Sequence, residues 1–214
     1  MKRLICLLVL ALLVGLLPGC GSDGGQSPGD AQALKDQAKQ MYDAGEYAKA
    51  AETLEKALAA APNDAEVRFR LGSAYAALQE WDKAAEQFKE SLRMSPNDAD
   101  AHSNLGGVYY QQGQLDEAIK EFREAIRIKP NDGAYHYNLG AAFAQQNRLS
   151  EAEAEFLAAK QYDPNLAEAY LGLGTLYALQ GKTAEARQAL QRLLQLTTDP
   201  ELRAAAEQQL QTLK

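Results

Sequence analysis

The sequence is poor in the side chains that most catalytic and metal-binding sites require. It has two cysteines and two histidines in 214 residues, and Cys6 lies in an N-terminal apolar run, so Cys20 lacks a disulfide partner in the mature chain. The His-Glu-x-x-His, phosphate-loop, Gly-x-Ser-x-Gly and Cys-x-x-Cys motifs are all absent. The sequence therefore predicts no catalytic residues, no metal site and no cofactor, and we expect the protein not to be an enzyme.

Positive charge is also scarce. The 22 lysines and arginines are outnumbered by 29 aspartates and glutamates, which gives a net charge of −7. Loss of residues 1–19 would remove Lys2 and Arg3 but no carboxylate, and would leave a net charge of −9. Nucleic acid and anionic lipid surfaces are therefore poor partners for the chain as a whole.

The only long apolar run lies at the N-terminus. Lys2 and Arg3 precede an unbroken apolar stretch from Leu4 to Leu17, with small residues around a cysteine directly after it. This run is too short for a comfortable transmembrane helix, which needs about 20 residues. We therefore predict a secretion signal over residues 1–19.

The segment Leu17-Pro18-Gly19-Cys20 resembles the lipobox of bacterial lipoproteins. The resemblance implies cleavage before Cys20 and attachment of diacylglycerol and a further acyl chain such as palmitate, which would anchor the protein in the cell envelope. Gly21 in place of the Asp that retains lipoproteins in the inner membrane favours the outer membrane, facing the periplasm. An ordinary secreted protein is the alternative, although no Ala-x-Ala-like site is present. Residues 20–30 are rich in Gly, Ser and Pro and predict a flexible tether after the lipidated cysteine.

A period of 34 residues runs through the rest of the chain. Four prolines repeat at this spacing, namely Pro62, Pro96, Pro130 and Pro164. When the repeats are numbered from Ala31, Ala65, Ala99, Gly133 and Ala167, position 20 is always Ala and position 24 is always Leu or Phe. Repeats 2 to 5 also have Leu-Gly at positions 7 and 8 and an aromatic residue at position 11.

These residues resemble the tetratricopeptide repeat, whose signature is Leu-Gly-x-x-Tyr followed by Ala, Phe and Pro at the same positions. The resemblance implies an all-α, right-handed solenoid in which each repeat is a helix A, a turn and a helix B. We expect five repeats and a final capping helix, with boundaries at 31–64, 65–98, 99–132, 133–166, 167–199 and 200–214. This arrangement predicts eleven helices and no strand.

The pattern also predicts how the helices begin and pack. The Asn-Asp pairs after the first three prolines favour caps for the next helix A, and Ser150 with Glu153 favours a capping box at the start of the fourth helix B. Asp199 and Pro200 favour the start of the capping helix. Glycine at position 8 and alanine at position 20 indicate close helix contacts, and the large residues at positions 11 and 24 are expected to fill the space between each helix A and its neighbours.

The two histidines, His102 and His136, both occupy position 4 of a helix A. We interpret them as packing residues between the two helices of a repeat. A metal site formed by the pair is conceivable, because neighbouring helices A are adjacent, but no third ligand aligns with them.

The concave face of such a superhelix is lined by its helices A. Its inward positions combine aromatic side chains, which offer apolar contact, with amides that can pair with a peptide backbone. The predicted peptide groove consists of Lys35, Lys39, Tyr42, Phe69, Arg70, Ser73, Ser103, Asn104, Tyr110, Gln111, Tyr137, Asn138, Gln145, Leu171 and Thr175. Glu168 and Leu179 lie at its far end. Lys35, Lys39 and Arg70 lie at one end and either hold an acidic segment or form an ordinary solvated face.

We therefore expect a membrane-anchored scaffold that binds extended peptides or helices of a protein partner in the bacterial envelope. The family subclass that grips a C-terminal carboxylate has a Lys, Asn and Arg pattern that this chain does not match. The alternatives are a pilotin-like assembly factor for a pilus or secretin, a protein that binds a glycan or a peptidoglycan peptide, and a homo-oligomer that stacks through its ends. The partner itself is not identified by the sequence.

Overall fold

The computed structural model of the protein describes residues 28–213, and the predicted signal segment, Cys20 and most of the tether lie outside this range. The described chain is all-helical and has no strand, which confirms the predicted fold class and the eleven helices. The helices are α1 (Pro28–Asp43), α2 (Tyr47–Ala60), α3 (Ala65–Ala77), α4 (Trp81–Met94), α5 (Ala99–Gln111), α6 (Leu115–Ile128), α7 (Gly133–Gln145), α8 (Leu149–Tyr162), α9 (Ala167–Leu179), α10 (Thr183–Leu196) and α11 (Pro200–Thr212).

Three of the helices A begin at side-chain caps where the sequence placed them, whereas α9 begins after Leu166 without one. Carboxylates of Asp64, Asp98 and Asp132 accept hydrogen bonds from backbone amides in the first turns of α3, α5 and α7, which confirms these predictions. The first helix differs, because α1 begins at Pro28. The predicted tether is therefore helical over 28–30, where proline suits the first turn of a helix because it has no amide hydrogen to leave unpaired.

The helices B begin without side-chain caps. The predicted capping box at Ser150 is wrong, since α8 already starts at Leu149 and Arg148 makes no side-chain cap. The turn before it is closed by the backbone instead: the Arg148 amide donates to Phe143 O at 2.9 Å, and the Asn147 amide donates to Ala144 O at 2.9 Å. This Schellman-type pairing requires a left-handed residue at position 15. In repeats 1 to 5 this residue is, in order, Gly45, Gln79, Gly113, Asn147 and Gly181, and all five have a positive φ.

Close contact between helices A and B depends on the glycines at position 8. A Cβ atom at Gly72, Gly106 or Gly140 would lie within 2.7–2.9 Å of the ring of Phe88, Phe122 or Phe156 respectively. The same atom at Gly174 would lie 2.6 Å from Leu190. The predicted close helix contact at position 8 is therefore confirmed, and the structure shows that the partner of this glycine in repeats 2 to 5 is the residue at position 24.

The core extends along the array as successive clusters, because each helix packs on its neighbours in the chain. From α3 onward, each helix A also contacts the helix A of the next repeat, so the helices A form one continuous face. At the far end, Asp199 caps α11 and Pro200 occupies its first turn, as predicted. The apolar stripe of α11 then packs against Leu190 and Leu193 of α10.

A recurrent hydrogen bond joins helix A of each of repeats 2 to 5 to the loop before it. The side chain at position 4 reaches the carbonyl oxygen of the proline six residues earlier, in the pairs Arg68–Pro62, His102–Pro96, His136–Pro130 and Tyr170–Pro164, at 3.0 to 3.2 Å. Arg203 of α11 makes the same contact with Thr197 O at 3.2 Å. These contacts satisfy carbonyl groups that would otherwise lack a partner after helix B. Between residues 28 and 213 no helix combines the length and apolar character needed to cross a membrane.

Candidate partner-binding groove

The face formed by the helices A contains two adjoining pockets. The α1–α3 pocket has a volume of about 440 Å³ and is lined by Ala38, Lys39, Tyr42, Asp43, Leu54, Glu66, Phe69, Arg70 and Ser73. The α3–α5 pocket has a volume of about 370 Å³ and is lined by Tyr42, Ser73, Ala76, Ala77, Trp81, Phe88, Ser103, Asn104, Gly107, Val108, Gln111 and Asn138. Because both pockets include Tyr42 and Ser73, they form one continuous groove over the first three repeats.

The α1–α3 pocket has an apolar interior. Ala38 and Leu54 are buried at its base, and the ring of Phe69 meets the edge of Phe88 with centroids 5.7 Å apart. Tyr42 is 37% exposed and packs edge-on against Tyr47. Burial, followed by the nearby Tyr47 and Asp43, raises the pKa of Tyr42 and keeps its phenol neutral. An apolar side chain of a ligand would therefore find hydrophobic walls here.

The three cations predicted at this end of the groove are already paired within the chain. Lys35 Nζ lies 3.2 Å from Asp64 and 3.1 Å from Glu66. Arg70 donates two hydrogen bonds to Glu66, at 3.0 and 2.7 Å, and Lys39 pairs with Asp43. Their positive charge is therefore largely neutralised, so the structure does not favour the predicted site for an acidic segment.

The pKa values in this cluster move in the direction that strengthens the ion pairs. Hydrogen bonds from Arg70 and then Lys35 lower the pKa of Glu66. Burial opposes ionisation of Asp64, but the Val67 amide and Lys35 outweigh it and lower the pKa of that carboxyl group. The hydrogen bond to Glu66 raises the pKa of Lys35 despite partial burial. The cluster is consequently ionised at neutral pH.

The α3–α5 pocket carries the amides. Asn104 and Gln111 are exposed on α5, and Asn138 extends from α7 and donates to Ser103 Oγ at 3.3 Å. Ser103 is only 7% exposed, so it supports Asn138 more than it faces the groove. Amide side chains can donate to and accept from a peptide backbone, which makes this part of the groove suited to an extended chain.

The other predicted groove residues lie outside these two pockets. Tyr110 and Tyr137 are half-buried against the core, and Tyr137 packs on Phe156 with centroids 5.8 Å apart. Burial, then Glu168 and Tyr110, raises the pKa of Tyr137. Leu171 packs against the core near α11, and Thr175 exchanges hydrogen bonds with Gln209 of α11 at 2.9 and 3.2 Å. Gln145 is exposed, and so is Leu179, of which 72% is accessible.

Helix B residues were missed by the sequence analysis. Leu54 of α2 and Phe88 of α4 form part of the pocket walls through position 24, and Trp81 stands at the first residue of α4. Only inward positions of the helices A were expected to line the concave face, and these three residues belong to helices B. The available signal was Trp81, the single tryptophan of the sequence, which stands at position 17 where the other repeats have Tyr, Leu or Thr.

The two histidines join helix A to helix B, which confirms their predicted packing role. His102 Nδ1 lies 2.7 Å from Glu121 Oε2, and His136 Nδ1 lies 2.6 Å from Glu155 Oε2. Since the Nε2 atoms face proline carbonyl groups, both nitrogens of each ring already have protein partners. Within residues 28–213 there is no group of three side chains suited to hold a metal ion.

A continuous groove on stacked helix pairs defines the protein as an α-solenoid of the kind that serves as a protein-interaction scaffold. Models described as tetratricopeptide repeat or TPR repeat match residues 41–90, 72–113, 106–147 and 137–201. Together these matches extend from residue 41 to residue 201, and the chain belongs to the tetratricopeptide repeat family.

Solved structures with the same fold are distant in sequence. TTC0263, a thermophilic TPR protein of Thermus thermophilus, has a TM-score of 0.72 and 24% identity, over 85% of this chain and 99% of that chain. YrrB, described as a TPR protein with an unusual peptide-binding site, has a TM-score of 0.64 and 24% identity, over 84% and 92%. The pilF protein of Pseudomonas aeruginosa has a TM-score of 0.73 and 21% identity, over 87% and 91%. No curated protein sequence matches the chain.

Proposed function

We propose that the protein is a scaffold of the bacterial envelope, held at the outer membrane by a lipid on Cys20, which binds an extended segment of a partner protein in its groove. The observation that carries this proposal is the continuity of the α1–α3 and α3–α5 pockets through Tyr42 and Ser73. A continuous groove suits an extended chain that crosses several helices A.

The groove chemistry indicates how such a segment would lie. Apolar walls around Phe69 and Leu54 suit an aliphatic or aromatic side chain, while Asn104 and Gln111 can bond to peptide groups farther along. Because Lys35, Lys39 and Arg70 are neutralised internally, the segment need not be acidic. The peptide-binding site named for YrrB supports this use of the fold, although its identity to this chain is low.

The test is photo-crosslinking in the native envelope. A photoreactive phenylalanine derivative at Asn104 or Gln111 should form a discrete adduct with a partner, whereas the same residue at Lys56, exposed on α2, should not. Phe69→Ala should abolish the adduct, because it removes a wall of the α1–α3 pocket. Adducts that are equal at all three positions, or that persist in Phe69→Ala, would contradict groove binding.

The mass of the crosslinked molecule distinguishes between the narrower functional hypotheses. A pilus or secretin component would favour the pilotin-like role, a glycan or peptidoglycan fragment would replace the protein partner, and a second copy of the chain would favour a homo-oligomer.

Lipid attachment needs its own test. The mature protein from cells should be heavier than unmodified residues 20–214. The Cys20→Ser variant should no longer be found in the membrane fraction. An unmodified mass would overturn the anchor without affecting the groove.

A further inference from the structure

Repeats 2 to 4 share a side-chain contact that bridges helix A and helix B. In each of them the side chain at position 4 of helix A bonds to the side chain at position 23 of helix B. The pairs are Arg68–Gln87 at 3.1 Å, His102–Glu121 at 2.7 Å and His136–Glu155 at 2.6 Å. A long polar side chain at position 23 therefore occupies the space next to position 4.

The fifth repeat lacks this bridge, because its position 23 is Ala189. A methyl group cannot reach Tyr170 at position 4, whose hydroxyl donates to Pro164 O at 3.1 Å. A pocket of about 520 Å³ lies at this place, lined by residues of α8, α9 and α10. We call it the outer pocket, and none of its lining residues lines either pocket of the groove.

The outer pocket joins an apolar base to two cations. Leu173 and Ala189 are buried at its base, and the rings of Tyr170 and Tyr177 flank them. Lys160 and Arg192 stand in the lining, and neither takes part in an ion pair among residues 28–213.

The charge of this pocket contrasts with that of the rest of the chain. Glu185 is the single carboxylate in the lining, so positive groups outnumber negative ones although the whole protein is acidic. Gln188 and Gln191 add amide groups, and Gln195 Oε1 accepts a hydrogen bond from Arg192 at 3.2 Å. In the groove, by comparison, each predicted cation has a carboxylate of the same chain beside it.

We propose that the outer pocket is a second binding site, which takes a carboxylate side chain from an acidic segment of a partner protein. The carboxylate would pair with Lys160 and Arg192 beside Ala189, which stands at the repeat position that Glu121 and Glu155 occupy in repeats 3 and 4. Guanidinium and ammonium groups bind carboxylates through charge-assisted hydrogen bonds, and the tyrosine rings cover the aliphatic part of the side chain. The site does not depend on the proposed groove function.

The experiment uses a defined acidic probe and the full chain purified from membranes in detergent. Fluorescein-labelled, amidated tetraglutamate is compared with tetraglutamine of the same design by fluorescence anisotropy. We expect tetraglutamate to bind more tightly than tetraglutamine and its affinity to fall as salt is added. In Lys160→Gln/Arg192→Gln the affinity should drop about tenfold or more, since two charge-assisted contacts are lost.

Two further variants make the result specific. Lys49→Gln/Lys56→Gln removes the same charge from exposed residues of α2 and should leave tetraglutamate binding unchanged. Ala189→Glu restores the long acidic side chain of repeats 3 and 4 and should block the pocket. Equal binding of both peptides, an equal loss in the α2 control, or undiminished binding in Ala189→Glu would overturn the proposal.

Discussion

At the scale of single residues, the packing of the array depends on glycines that face aromatic rings. Phe156 illustrates this, because it lies between Gly140 of its own repeat and Gly172 of the next. A Cβ atom at Gly172 would lie 2.8 Å from the ring, so a single methyl group would force two repeats apart.

We therefore expect Gly172→Ala to lower the free energy of unfolding by about 1–3 kcal/mol through overpacking. Gly107→Ala is the matched control, because it also lies within a helix A but its Cβ would meet nothing within 4 Å. That variant should be neutral, or more stable by about 0.5–1 kcal/mol, since alanine favours the helix. Urea denaturation of both variants measures the difference, and equal stability would contradict the proposed packing.

Backbone conformation at position 15 gives a second prediction. Gln79 has φ of 60° in a turn where three of the five repeats have glycine. We expect Gln79→Gly to raise the free energy of unfolding by about 1 kcal/mol, because glycine has no steric penalty in this region. Asn147→Gly, also at φ of 60°, should gain less, since asparagine tolerates the left-handed conformation. Thermal unfolding compares the two, and a larger gain at Asn147 would refute the explanation.

At the scale of secondary-structure elements, ion pairs of Lys35 with Asp64 and Glu66 link α1 to the start of α3. The pKa values of both carboxyl groups are lowered in the folded protein. Their contribution to stability is therefore present above the pKa of the unfolded chain, near pH 4, and is lost as the pH falls through the lower folded value.

Glu66→Gln should consequently destabilise the protein at pH 7 by less than about 1 kcal/mol, because Glu66 is half exposed and solvent weakens the pair. The difference from the parent should shrink below about pH 4, where the parent carboxylate is itself protonated. Asp36→Asn on α1 is the control, since Asp36 has no ion pair among the described residues and should change stability little. Urea titrations at pH 7 and pH 3 test this, and a constant difference would contradict it.

Most of the elements could be predicted because their signals are local. Each hairpin has its own signals, namely the aspartate cap of helix A and the glycine at position 8. The 34-residue period repeats these signals along the chain, as at Asp64, Asp98 and Asp132. Side-chain pairing could not be predicted, because the partners of Lys35 lie 29 and 31 residues farther along the chain and the contacts depend on rotamers. The outer pocket could not be predicted either, since Ala189 matters only when compared with the bridges of repeats 2 to 4.

The groove shows the same division. Helix A residues such as Asn104 and Gln111 followed from the repeat register, and nine of the fifteen predicted residues line the two pockets. Trp81 and Leu54 were missed because they belong to helices B. Tyr110 and Tyr137 were predicted to face the groove, yet they are largely used in packing.

At the scale of the whole molecule, both ends of the array are polar on their outer sides. Gln32, Asp36 and Gln40 of α1 are exposed, as are Glu201 and Gln208 of α11. These surfaces do not favour stacking of one copy on another. The inner side of α11 is apolar and packs against Leu190 and Leu193.

Removal of residues 200–214 should therefore expose the end of the core. We expect the shortened protein to unfold at a lower temperature and to self-associate, since solenoids need a polar cap for solubility. Light scattering at micromolar concentration tests this, with Glu201→Gln/Gln208→Ala as a control that should stay monomeric. A stable, monomeric truncated chain would show that α11 is dispensable.

The position of the groove along the array has a mechanical consequence. Its two pockets use residues of α1 to α5 and only Asn138 beyond them. If Cys20 carries the proposed lipid, a partner that pulls on the groove would load the first three repeats almost alone. The last two repeats, together with α11 and the outer pocket, would lie outside the path of the force. They would keep their conformation while the first three repeats are strained.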